Sequence, residues 1–270
     1  MLARTDRATT PRYHAVGMAD LPADDDWLTP PEAERLQGFA YTKRREEARL
    51  GRWTAKLTLA GVLGLDAEPK TLRELVVRNA SDGAPEVFVD NQPAGLSISM
   101  TDRADWAVCA VVHADTSIGC DLELVERRTP AFVRDWFTDR EQSFVAARPD
   151  DHDLLANLIW SAKESALKVL RTGLRRDTRS VDVDVDVDDR PADDSEQWGS
   201  LVVTSAEGDR FAGWWTLFGE FVLTYVSAEA TDPPLTLHEP SPLATASPSH
   251  TWMNRPLRHA AHDHQRSDPR

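Results

Sequence analysis

Positions 181 to 188 read Val-Asp-Val-Asp-Val-Asp-Val-Asp. Successive side chains of a β-strand point to opposite faces, so this strict period of two describes a strand whose valines face a core and whose aspartates face solvent. Part of the chain must therefore be a half-buried sheet. Aligned acids on such a strand read as a solvated face that discourages edge pairing rather than as a metal site. Just upstream the period changes. Leu155, Leu158, Ile159, Ala162, Ala166, Val169 and Leu170 recur at helical spacing, which leaves Lys163, Glu164 and Lys168 toward another face, and Gly173 is a natural stop.

A similar order of helices followed by strands occurs earlier. Thr29-Pro30-Pro31-Glu32 supplies a helix cap with proline at the first helical position and an acid in the first turn. A second helix is expected from about Lys43 to Leu63, with Leu50, Trp53, Leu57, Ala60 and Leu63 on one stripe and Arg49, Arg52 and Lys56 available to another. Short β-type runs follow from Leu72, punctuated by Ser81-Asp82-Gly83 and Asp90-Asn91 and ending in Asp105 to Val112. A turn at Ala114-Asp115-Thr116 leads to a strand from Ile118 to Val125. Two aromatic-rich strands, Phe211 to Leu217 and Phe221 to Ser227, form a hairpin around Gly219. The expected fold class is α+β, with a flexible N-terminus (1–25), an N-terminal half (26–112), a C-terminal half (113–228) and a disordered Pro/Ser/His-rich tail (229–270). Five of the eight histidines lie in that tail, without a scaffold that would arrange them around a metal.

The formal net charge of −14 argues against a nucleic-acid partner, because neutralising phosphates needs a basic face. The two cysteines, Cys109 and Cys120, sit inside apolar runs and read as small core residues in a reducing compartment. No run approaches the roughly 18 apolar residues of a membrane span, and the first residues lack the apolar centre of a secretory signal, so a cytoplasmic protein is expected.

Two clusters carry chemistry. In Gly119-Cys120-Asp121-Leu122-Glu123 the acids are two apart on a strand and project from one face. In Trp160-Ser161-Ala162-Lys163-Glu164-Ser165-Ala166-Leu167-Lys168, Glu164 and Lys168 stand one helical turn apart. Taken separately these are exposed strand acids and a surface ion pair. If the strand faces the helix, Asp121, Glu123 and Glu164 make three carboxylates that repel unless a divalent cation neutralises them, and magnesium suits such hard oxygen donors.

IGCDLE, the later WSAKESALK and the intervening WFTDRE together resemble the paired signature of the 4′-phosphopantetheinyl transferase superfamily. Upstream, DGAPEV, SISMTDRADWAVCAV and LGRWTAK resemble further segments of that family, so the resemblance spans roughly residues 30 to 227 and is of the two-halved, single-chain Sfp type. It implies two pseudo-symmetric halves with the active site between them, and transfer of 4′-phosphopantetheine from coenzyme A to a serine of an apo acyl or peptidyl carrier protein. It further implies magnesium on Asp121, Glu123 and Glu164, with Glu164 also a candidate base beside Lys168. Arg52, Lys56, Pro85, Ser99, Lys163 and Lys168 would contact coenzyme A. Met100 and Ala84 stand where the family usually has histidine and lysine, with Arg103 or Arg78 as candidate replacements. A monomer without membrane or nucleic-acid partners, serving secondary metabolism, is expected, with Arg127, Arg128, Arg134 and Arg140 as a docking patch for an acidic carrier. The alternatives are a coenzyme A-binding relative that has lost activity and a magnesium-dependent phosphohydrolase.

Overall fold

The computed structural model describes residues 10–113, 116–187 and 197–250. In chain order the elements are β1 (Arg12–Gly17), α1 (Pro30–Gln37), α2 (Thr42–Leu63), α3 (Pro69–Glu74), β2 (Leu75–Asn79), β3 (Pro85–Val89), β4 (Gln92–Pro93), β5 (Leu96–Arg103) and β6 (Trp106–His113). There follow β7 (Ile118–Leu124), α4 (Pro130–Trp136), α5 (Asp139–Ala146), α6 (His152–Val169), β8 (Val181–Val185), β9 (Gly199–Ser205), β10 (Arg210–Phe218), β11 (Phe221–Ser227) and β12 (Leu235–Thr236). This is the expected α+β mixture. One sheet has the order β12-β1-β6-β5, a second β7-β11-β10-β9-β8, and β2-β3-β4 forms a small third. Among the described residues no helix is long and apolar enough to cross a membrane.

The valine-aspartate run becomes β8, with Val181, Val183 and Val185 buried against α6 and paired antiparallel with β9. Its acids are not merely solvated: Asp182 accepts from Thr138 Oγ1 and Arg140 Nε, both at 2.6 Å. Asp188 lies outside the described residues.

The two long helices, α2 and α6, are each anchored by the same buried device. Thr29 and Glu32 close a capping box at the start of α1. Glu32 Oε1 also accepts from Val77 N at 3.1 Å, and Glu32 Oε2 meets Lys56 Nζ at 2.8 Å. Lys56 Nζ further donates to Trp27 O (3.1 Å) and Leu72 O (2.9 Å). Thr138 and Glu141 repeat the capping box on α5. There Glu141 Oε1 accepts from Val183 N at 2.8 Å, Glu141 Oε2 meets Lys163 Nζ at 2.8 Å, and Lys163 donates to Thr178 O at 3.0 Å and Val181 O at 2.5 Å. Each time a carboxylate joins a short helix, a long helix and a strand. Burial pushes the Glu141 carboxyl up and the Lys163 ammonium down, so the charges persist only because each has its partner.

Two expectations about the ends are corrected. Residues 12–17 are not a flexible terminus: β1 lies between β12 and β6, with Tyr13 and Ala15 buried. The chain also does not lose its structure at Ser227. Residues 235–236 pair parallel with β1, Leu237 N donates to Tyr13 O at 2.8 Å, and Leu243 is fully buried in one cluster with Tyr13, Phe218 and Tyr225. A polar, proline-rich average hides these anchors, and β1 offers an otherwise open edge whose backbone groups need partners. Residues 251–270, with the remaining histidines, lie outside the described residues.

His14 on β1 is 6% exposed and packs against His238, with ring centroids 4.5 Å apart and planes tilted by 54°. Burial, then His238, lowers its pKa from 6.5 to about 4. The unfolded chain therefore binds a proton that the folded chain refuses between these values, so stability is full above pH 6.5 and falls as pH drops toward 4, by up to about 3 kcal/mol. Thermal melts of wild type and His14→Phe should show a shallower acid-side decline in the variant; parallel declines would exclude His14 as the cause.

Candidate active site

The site forms where the edge strands of the two large sheets meet. β5 and β7 do not exchange a backbone ladder; hydroxyls join them instead. Cys120 N donates to Ser99 Oγ at 2.9 Å and Leu122 N to Thr101 Oγ1 at 3.2 Å. Alternate residues of β5 thus satisfy alternate N–H groups of β7. Thr101 Oγ1 then donates to Asp121 Oδ1 at 3.0 Å.

Helix α6 reaches β7 along a row of polar side chains. Ser161 Oγ donates to Asp121 O at 3.0 Å and lies 2.8 Å from Thr224 Oγ1, which also lies 2.8 Å from Ser165 Oγ. Trp160 Nε1 donates to Glu123 Oε1 at 3.0 Å. Lys168 Nζ donates to Cys120 O at 2.7 Å and to Asp121 Oδ1 at 2.9 Å. This approach requires Gly119: a Cβ there would lie 1.9 Å from Ser165 O.

Asp121 is 5% exposed, and its Oδ2 is buried without a hydrogen-bond partner. Burial, reinforced by Asp121 and Glu123 and opposed by Lys168, pushes the Glu164 carboxyl up to about 7. Burial works against the charge of Lys168, yet Asp121, Cys120 and Glu164 outweigh it and hold the ammonium above the ordinary lysine range. Glu123 is more fully engaged: its Oε2 lies 3.2 Å from Arg103 Nε and 3.1 Å from an Arg128 guanidinium nitrogen. Among the described residues no group of three or more His, Cys, Asp or Glu is arranged to hold a metal ion. The donor chemistry nonetheless fits magnesium at Asp121 and Glu164: one carries an unpartnered buried carboxylate oxygen, and the other a carboxyl group made reluctant to ionise by burial and then by negative neighbours.

Beside this cluster lies a cavity of about 650 Å³, lined among others by Pro85, Ser99, Met100, Lys168, Arg171 and Arg175. Pro85, Ser99 and Lys168 were expected there. Lys56 and Lys163 were expected to contact the same ligand and do not line the cavity; both are 0% exposed, with their ammonium groups held by Glu32 and Glu141. Arg52 stands behind the wall, 8% exposed, donating to Asn79 Oδ1, while Asn79 itself lines the cavity. Neither proposed replacement cation lines it either. Arg103 binds Glu123 and Glu126, and Arg78 stacks on Phe88 with its guanidinium 4.6 Å from the ring centre. Arg171 and Arg175 do; they fall beyond the recognisable helix motif, so no local signal marks them. Of the expected arginine patch, Arg128 is buried against Glu123, Arg134 pairs with Asp135 and Arg140 with Asp182, while Arg127 is exposed. Cys109 and Cys120 are buried, free thiols, as expected.

The stretch that carries Asp121, Glu123, Glu164 and Lys168 has recognisable relatives. Residues 117–225 match the model of the 4′-phosphopantetheinyl transferase superfamily. The match covers less than half of the chain and runs from the approach to β7 into β11. A solved holo-(acyl-carrier-protein) synthase from Bacillus anthracis str. Ames, in complex with CoA (3′,5′-ADP), is similar at 18% identity and a TM-score of 0.33, over 39% of this chain and 95% of its own. No curated protein matches the chain.

Proposed function

We propose that the protein transfers the 4′-phosphopantetheine group from coenzyme A to a serine of an apo acyl or peptidyl carrier protein, releasing 3′,5′-ADP. The observation that carries this reading is the double role of Lys168, which lines the cavity and also donates to Asp121, within the stretch that matches the transferase superfamily. A cavity of about 650 Å³ has the size for a coenzyme-like ligand.

In this reaction the serine oxygen attacks the phosphorus that carries the pantetheine arm, the new P–O bond forms, and the bond to 3′,5′-ADP breaks. The serine proton passes to the Glu164 carboxylate, whose proton affinity burial and then the neighbouring Asp121 raise above that of an ordinary glutamate. Lys168, held charged by Asp121, stabilises the negative charge that builds on the departing phosphate. Asp121 keeps Lys168 aimed at the cavity, and Thr101 keeps Asp121 in place. Asp121 and Glu164 would hold magnesium, which when bound would neutralise the diphosphate, while Glu123 is engaged by Arg103, Arg128 and Trp160. The duplicated Glu–Lys anchor supports two pseudo-symmetric halves with the site between them, and two such halves in one chain fit a monomer.

The test is incubation with coenzyme A, magnesium and a panel of apo carrier proteins, read by intact carrier mass. The expected result is a pantetheine adduct that disappears without magnesium and falls at least about a hundredfold in rate for Glu164→Gln. Coenzyme A binding without an adduct on any carrier would replace this reading with a binding-only relative. Coenzyme A cleavage without a carrier would replace it with a hydrolase.

A further inference from the structure

Arg171 and Arg175 have no part in the transfer chemistry just described, yet both line the cavity. They sit on the turn that follows α6, and both reach across to the β2–β3 turn. Arg171 Nε lies 2.8 Å from Asp82 Oδ2, and an Arg171 terminal nitrogen donates to Asp82 Oδ1 at 3.2 Å. Arg175 donates to Asp82 O at 2.9 Å and to Arg171 O at 3.2 Å. Glu86 approaches Arg171 at 4.0 Å.

Arg171 has a backbone φ of +56°, a conformation that L side chains seldom adopt. Its side chain is 46% exposed and that of Asp82 35%. So exposed an ion pair contributes little to stability and exchanges readily. The arrangement nevertheless aims a planar fork at two carboxylate oxygens, the geometry in which arginine also grips phosphate. Asp82 is held below the usual carboxylate range by the Ala84 N–H and then by Arg171, so it stays an anion in this position. The neutral Ala84 and Met100 also line the cavity, and among the described residues its lining cations are Lys168, Arg171 and Arg175.

We propose that Arg171 and Arg175 form a subsite for a phosphate monoester of the ligand, separate from the diphosphate position at Lys168, and that Asp82 occupies it until that phosphate displaces it. The inference rests on the transferase reading, which supplies a ligand bearing a diphosphate and a separate phosphate monoester. It assigns to these arginines the choice between coenzyme A and dephospho-coenzyme A, which lacks only the monoester.

Calorimetric titration of the full chain with both coenzymes tests it. Wild type is expected to bind coenzyme A at least about tenfold more tightly than dephospho-coenzyme A, because charge-assisted bonds to phosphate are at stake. Arg171→Gln and Arg175→Gln should each lose about tenfold toward coenzyme A and nothing toward dephospho-coenzyme A. Equal losses toward both ligands would show that the arginines merely hold the turn, and overturn the subsite. Asp82→Asn, which keeps the oxygen that accepts from Ala84 N at 3.0 Å, should raise coenzyme A affinity; a fall would overturn the displacement by phosphate. A wild type that transfers equally well from both coenzymes refutes the subsite and leaves the transferase reading standing. One that binds neither coenzyme and modifies no carrier brings down both.

Discussion

Gly119→Ala is expected to lower the melting temperature by roughly 10 °C and to abolish transfer even in the fraction that remains folded. The added methyl carbon would lie 1.9 Å from Ser165 O, 2.8 Å from Ser165 C and 3.0 Å from Lys168 Cβ. The first two are backbone atoms in the middle of α6, so no rotamer change relieves the clash, and the helix must move away from β7. Overpacking of this kind costs about 3 kcal/mol or more. The same movement stretches the Ser161 bond to Asp121 O and the two bonds of Lys168, so the site fails together with the packing. Gly51→Ala provides the contrast. Gly51 lies within α2 with nothing within 4 Å of its added Cβ, and alanine there should stabilise by about 0.5–1 kcal/mol. A Gly119→Ala protein melting within about 2 °C of wild type, with transfer intact, would refute the close contact.

Lys163→Met is expected to destabilise by about 3–5 kcal/mol, because it leaves the Glu141 carboxylate buried at 1% exposure without its counter-charge. It also removes the donor to Thr178 O and Val181 O, where the chain enters β8. Lys56→Met should behave alike, through Glu32 and the carbonyls of Trp27 and Leu72. Replacing both partners, as Glu141→Leu with Lys163→Met, should recover much of the loss, since no unpaired charge then remains. Urea denaturation measures these effects. Coenzyme A titrations of the folded variants separate the structural role from a ligand role: affinity should be unchanged. A stable Lys163→Met protein with weakened coenzyme A binding would return Lys163 to the ligand site.

Lys163 and Lys168 show how far local pattern reaches. Both lie on the polar side of one apolar stripe, and nothing in their immediate neighbours separates a lysine that closes a buried pair from one that faces a cavity. The difference arises because Glu141 meets one and Asp121 the other. The acids of β8 and Arg128 repeat the point: each reads as a surface charge until its partner is known.

Local signals suffice for the α6 stripe, the alternating strand, the Thr29-x-x-Glu32 helix start, and the acids and lysine that bear the family signature. Those features follow from backbone periodicity and capping, which act over a few residues. Tertiary structure alone decided which charges pair, that β1 and β12 share a sheet, that β5 serves β7 through hydroxyls, and that Arg171 and Arg175 complete the cavity. These depend on which distant segments meet, and a charge or an open strand edge takes its role from the partner that satisfies it.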